Sequence, residues 1–114
     1  MANERRESKR AVVSLPVNYA TLEIPQKRCG DTVCKDISQE GIKILLDRFY
    51  PHQTKFLLKL NLENAHRVIE SVAETAWSFN EPYSNRSYTG LRFTDMNKEN
   101  KNILKQYLSV HDDV

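Results

Sequence analysis

The chain is predicted to be mainly β: a six-stranded antiparallel barrel followed by one C-terminal α-helix. Three observations predict it. Six stretches of the 114 residues alternate apolar and polar side chains with the period of a half-buried strand. Polar, turn-forming residues separate them at hairpin spacing. Only the last stretch takes a helical period, with Met96, Ile103, Leu104, Tyr107 and Leu108 on one stripe. Short strands so spaced close, or nearly close, into a barrel, and the helix then plugs or flanks one end.

Residues 1–10 show no apolar periodicity and read as a basic arm, mobile without a ligand, ahead of a single domain over 11–114. In the first strand Val13, Leu15, Val17 and Tyr19 face one side, and Ser14, Pro16 and Asn18 the other. Pro16 has no N–H, which favours an edge position or a bulge. Residues 25–31 form a polar turn. A short strand over 32–37 places Val33 and Ile37 on one face, and residues 38–41 connect it to a strand carrying Ile42, Ile44 and Leu46. Phe56, Leu58, Leu60 and Leu62 alternate against Lys55, Lys59 and Asn61 in the fourth. Residues 67–79 make a long strand or bent pair, with Ile69, Ala73, Trp77 and Phe79 on one parity. A loop over 81–85 leads to the last strand, 88–94, with Leu91 and Phe93 inward. Tyr83 is expected on the surface and Tyr88 in the core. Asp95 or Asn97 caps a helix at about 96–109, whose Lys98, Glu99, Lys101 and Lys105 stay in water.

Composition narrows the function. With 28% charged residues and a mean hydropathy of −0.62, no apolar run is long enough to span a bilayer. The opening MANERRESKR lacks the apolar core of an export signal, so a cytoplasmic location is expected. Cys29 and Cys34 are expected as two reduced thiols, with a hairpin disulfide as the alternative. No CxxC occurs, and His52, His66 and His111 share no ligand spacing, so no metal site is expected. There is no Ser/His/Asp set, no GxxxxGK loop and no HExxH. The expectation is a binding protein with no catalytic residue and no cofactor.

Charge is unevenly placed. The net charge of +2 lies wholly in residues 1–10, where Arg5, Arg6, Lys9 and Arg10 face only Glu4 and Glu7; the remaining 13 basic and 13 acidic side chains cancel. A basic head on a neutral body suits a small anion held locally. It argues against a barrel that binds single-stranded nucleic acid, which needs basic residues spread over one face.

Two short patterns carry the chemistry: RxxxR at Arg6–Arg10 and DxSxxG at Asp36–Gly41. Guanidiniums grip phosphates, or a guanine O6/N7 edge, in bidentate fashion. An ionised carboxylate only accepts hydrogen bonds and so suits guanine's N–H donors, while a hydroxyl can donate to phosphate. Each pattern has a plainer reading. The first is a solvated terminus; the second is a hairpin turn capped by Asp36 and Ser38, with Gly41 supplying a positive φ.

In this order, with a strand-rich stretch between them and Thr89-Gly90-Leu91-Arg92-Phe93 as a closing strand, they resemble the PilZ domain, the bacterial receptor module for cyclic di-GMP. PilZ domains are six-stranded antiparallel barrels with a C-terminal helix, so the resemblance covers nearly the whole chain. It implies that Arg6 and Arg10 contact phosphate and guanine, that Asp36 reads guanine, that Ser38 faces phosphate and that Gly41 shapes the turn. Arg5 and Lys9 add long-range attraction. Trp77 is expected in the core, with a ligand-facing platform on the barrel wall as the rival. Arg92 is expected to be solvated, with a phosphate-facing role as the rival. The implied function is a cytoplasmic bacterial cyclic di-GMP receptor whose arm orders on binding and which signals to a macromolecular partner, without inserting in a membrane or binding nucleic-acid polymers. The alternative is a ligand-free adaptor; such members characteristically lack both motifs.

Overall fold

The structure, a computed structural model, describes residues 11–23, 25–62 and 67–110. The arm with Arg5, Arg6, Lys9 and Arg10 lies outside the described residues, as do His66 and His111. Six strands, β1 (Ala11–Thr21), β2 (Cys29–Ile37), β3 (Gly41–Leu46), β4 (Lys55–Leu62), β5 (Arg67–Asn80) and β6 (Ser87–Asp95), precede one helix, α1 (Lys98–Val110). The strands close into a barrel in the order β1-β2-β3-β6-β5-β4, every pair antiparallel. Closure removes the sheet edges that an open arrangement would expose.

Alternation fills the interior as the sequence predicts over β1, β3 and β4. Leu15, Val17, Tyr19, Ile42, Ile44, Leu46, Phe56, Leu58, Leu60 and Leu62 are all buried. Phe56 is packed edge-to-face by Tyr19 and Tyr50, at centroid distances of 6.0 and 5.1 Å. Pro16 follows a register shift between Val12 and Leu15 and precedes the start of pairing between β1 and β4 at Val17, so its missing N–H leaves the ladder intact. The turn after β1 is shorter than expected, because β2 already starts at Cys29, opposite Ala20.

Two bulges overturn the expected faces. In β2 the register shifts between Cys34 and Asp36, so Cys34 and Ile37 are both buried although three residues apart, and Val33 turns outward. An inserted residue reverses the parity of everything beyond it. Cys34 donates its S–H to the Asp36 carbonyl at 3.3 Å, and burial pushes its thiol up to about 11. Cys29 is exposed, and both thiols are free. In β5 the shift falls between Thr75 and Trp77. Ile69, Ser71, Ala73 and Thr75 face the core, while Trp77 and Phe79 emerge on the outer wall. Tyr88, opposite Phe79, is exposed as well, against the expectation of burial; Tyr83 is on the surface as expected.

Of the two candidate caps, Asn97 begins the helix: its Oδ1 accepts the Asn100 N–H at 2.8 Å. Leu104, Tyr107 and Leu108 are buried, and Asn100 Nδ2 ties α1 to the Glu70 carbonyl of β5. No helix among the described residues is long and apolar enough to cross a membrane.

A polar cluster closes the end of the barrel near Asp47. The Asp47 carboxylate accepts hydrogen bonds from Tyr19 (3.2 Å), Tyr50 (3.0 Å) and Arg28 (3.1 Å). Burial alone would raise the Asp47 pKa, but the donors Arg28, Tyr50 and Tyr19 outweigh it and hold it below its ordinary value. Tyr19 moves the other way, to about 12, through burial and then the Asp47 charge. A depressed carboxylate contributes stability above its unfolded pKa and loses it as pH falls through the folded one. Asp47→Asn should therefore lower the melting temperature at pH 7, with the gap to wild type narrowing below about pH 4. A gap that stays constant on acidification would show that the charge of Asp47 is not what holds this end.

Candidate functional site

The site is built around the β2–β3 turn. Because Ala11 pairs with Ile37, the chain enters the barrel from the arm beside Ser38. The Ser38 N–H donates to the Gly41 carbonyl at 2.9 Å, and Ser38 Oγ accepts the Glu40 N–H at 3.1 Å. The Glu40 carbonyl in turn accepts the Phe93 N–H at 2.8 Å, which fastens the turn to β6. The turn is therefore held from both sides.

Gly41 is needed here, though not for the expected reason. No glycine among the described residues has a positive φ. Instead the backbone of β6 passes so close that a Cβ on Gly41 would lie 2.1 Å from the Leu91 carbonyl oxygen. Gly90 has a similar role under Trp77: a Cβ there would lie 2.2 Å from the indole Nε1. The indole thus covers Gly90 on the outer wall and remains 46% exposed. Core packing of Trp77 is excluded by the β5 bulge, and its rival as a platform on the barrel wall fits the geometry.

A cavity of about 210 Å³ brings together Ser38, Gly41, Lys43, Trp77, Gly90 and Arg92. Arg92 is exposed to solvent, as expected, and it also has a partner. Its Nη2 donates to Glu74 Oε2 at 2.8 Å, across the β5–β6 ladder, and the Glu74 side chain is only 14% exposed. A larger cavity, about 610 Å³, continues past Glu40 and Arg92 toward α1, where Lys101 and Leu104 line it. Asp36 is half-buried one strand over, opposite Val12 on β1 and Lys43 on β3, and does not line the smaller cavity. Four of the predicted site residues, Ser38, Gly41, Trp77 and Arg92, therefore share one wall, with Asp36 at its border. Arg5, Arg6, Lys9 and Arg10 lie outside the described residues.

Lys43 has no place among the sequence candidates. Its one sequence cue is its outward parity on β3, two residues beyond Gly41, which a solvated lysine would share. Chemically the wall offers an aromatic plate, a hydroxyl, two cationic side chains and the carboxylate of Glu40. That combination suits a planar heterocycle joined to phosphate, with the base stacked and the anion held by donors. Among the described residues no cluster of His, Cys, Asp or Glu is arranged to hold a metal ion.

Comparison with known proteins agrees with this architecture. The profile of the PilZ domain matches residues 4–109. Among solved structures, the inhibitor of motility MotI/DgrA of Bacillus subtilis superimposes with a TM-score of 0.76 at 25% identity, over 94% of this chain and 50% of that one. This chain thus spans half the length of that protein. The PilZ domain of Escherichia coli YcgR, solved with c-di-GMP, gives 0.65 at 15% identity over 95% and 92% of the two chains. The PilZ domain of CeSA from a cellulose-synthesising bacterium gives 0.62 at 15% identity over 89% and 95%. No curated protein matches at the level of sequence. With its closed six-stranded barrel, its C-terminal helix and a family profile that runs almost end to end, the chain belongs to the PilZ domain family, a family of cyclic di-GMP receptor domains.

Proposed function

We propose that this chain is a cytoplasmic bacterial receptor that binds cyclic di-GMP on the β3–β6–β5 wall and signals by closing its N-terminal arm over the ligand. The observation that carries the reading is the convergence of Ser38, Gly41, Trp77 and Arg92 on one cavity, beside the point where RxxxR joins the barrel. In this reading a guanine stacks on Trp77, Ser38 donates to a phosphate, and Asp36 accepts from guanine N–H groups. Arg6 and Arg10 supply bidentate contacts from the arm, and Arg5 and Lys9 add attraction at a distance. Gly41 contributes by keeping the turn against β6. Arg92 meets phosphate only if it swings from Glu74 or is shared with it.

The arm is the signalling element. Residues 1–9 carry no aliphatic or aromatic side chain beyond Met1 and Ala2, so ligand contacts must offset the entropy lost on ordering them. Ordering an arm creates a new surface that a protein partner can read. A regulatory role on such a partner is consistent with the likeness to an inhibitor of motility, which this chain matches over half of that protein's length.

Calorimetric titration with cyclic di-GMP, with GTP and cyclic di-AMP as controls, tests the reading. Trp77 is the single tryptophan, so its fluorescence reports the proposed stack directly. Saturable heat with cyclic di-GMP, a parallel change in emission and weakening with added salt are expected. Absence of heat with a folded protein would discard the receptor reading. Heat without any change in emission would remove Trp77 from the site.

A further inference from the structure

Lys43 stands apart from the other cations of the barrel. On the outer wall Arg28 pairs with Asp47, Lys55 with Glu23, Lys59 with Glu70, Arg86 with Glu81 and Arg92 with Glu74, at 2.8 to 4.0 Å. Lys43 has no such partner among the described residues. It is also half-buried, whereas the other unpaired lysines and arginines described are exposed. Its charge is thus held on the wall with no carboxylate within 4.0 Å among the described residues.

Its position says what could meet that charge. The ladder sets Lys43 opposite Gly90, the residue the Trp77 indole covers, and on its other side opposite Asp36. It lines the same cavity as Ser38 and Trp77. Arg92, the other cation of that cavity, already pairs with a carboxylate at 2.8 Å, whereas Lys43 forms no ion pair among the described residues, although Glu40 lines the same cavity and Asp36 stands across the ladder.

We infer that Lys43 is an anion-anchoring residue of the binding wall, its ammonium holding a phosphate of the dinucleotide beside the Trp77 stack. The inference rests on the receptor reading above and adds an interaction from the rigid barrel to those from the arm. Lysine suits the task as a compact charge that meets an anion without a fixed fork geometry. It would also give the ligand a first foothold before the arm closes.

The plain rival is a lysine whose aliphatic stem covers apolar wall while its ammonium merely reaches water. Lys43→Met separates the two, since it keeps an unbranched apolar side chain and removes only the charge. Lys43→Gln serves as a second uncharged variant, and Lys43→Arg as the rescue. Each is checked for folding by its thermal melt, then titrated with cyclic di-GMP at low and high salt. The expected result is a roughly tenfold weaker Kd for both uncharged variants at low salt. Their affinity should also depend less steeply on salt than that of wild type, because one screened ionic interaction is gone. Lys43→Arg should recover most of the binding. Folded Lys43→Met and Lys43→Gln with wild-type affinity and wild-type salt dependence would overturn this assignment alone. A wild-type chain that takes up no cyclic di-GMP would overturn the receptor reading and the assignment with it.

Discussion

Replacing Arg10 with alanine is expected to weaken cyclic di-GMP binding by about 30- to 1000-fold. Removing a charged bidentate interaction from a partly desolvated site costs on the order of 2–4 kcal/mol. Arg10 immediately precedes Ala11, whose pairing with Ile37 fixes the chain beside Ser38. Of the arm's basic residues it is the nearest in sequence to that point. Arg6, four residues further out, should show a similar or slightly smaller loss on substitution. Calorimetry on the folded variants checks both. Wild-type affinity in Arg6→Ala and Arg10→Ala together would reduce the arm to bystander charge.

Gly41→Ala should damage both fold and site. The added Cβ would meet the Leu91 carbonyl oxygen at 2.1 Å, and that oxygen belongs to the backbone of the paired strand β6. No side-chain rotation relieves the clash, so the turn or the strand must move. Overpacking of this kind costs about 1–3 kcal/mol, which for a domain of this size lowers the melting temperature by roughly 4–12 °C. The displaced turn carries Ser38 and Glu40, so binding should fall as well. An unchanged melting temperature would mean that the β3–β6 approach is loose enough to accept a methyl group.

The strands are legible in the sequence because burial on one face of a sheet leaves a period of two. β1, β3 and β4 follow it residue by residue, and α1 follows the longer period of a helix. What a period cannot reveal is a bulge. The residues inserted near Cys34 and near Trp77 differ in no compositional way from their neighbours, yet they decide that Val33, Trp77 and Phe79 point outward. Tyr88 escapes the periodic reading for a related reason: its outward position follows from its pairing with Phe79, beyond the β5 bulge. Within the site, the spacing of DxSxxG is readable, and so is the need for a glycine. The reason for that glycine is not, since it lies in the approach of a strand 50 residues away in sequence (Leu91 against Gly41). Lys43 and the Arg92–Glu74 pair are hidden likewise, because partnership across a barrel is a property of the closed ladder.

The pairing of Ala11 with Ile37 also fixes a concentration. Arg10 and Arg6 lie one and five residues before that anchor, and groups tethered so closely act at an effective concentration in roughly the millimolar range. On the proposed reading the arm's arginines would meet a bound dinucleotide as an intramolecular event. The same ten residues offered as a free peptide would have to reach that concentration to do as well. The sensitivity of the proposed receptor should then respond to lengthening, shortening or recharging the tether, with the melting temperature of the barrel unchanged.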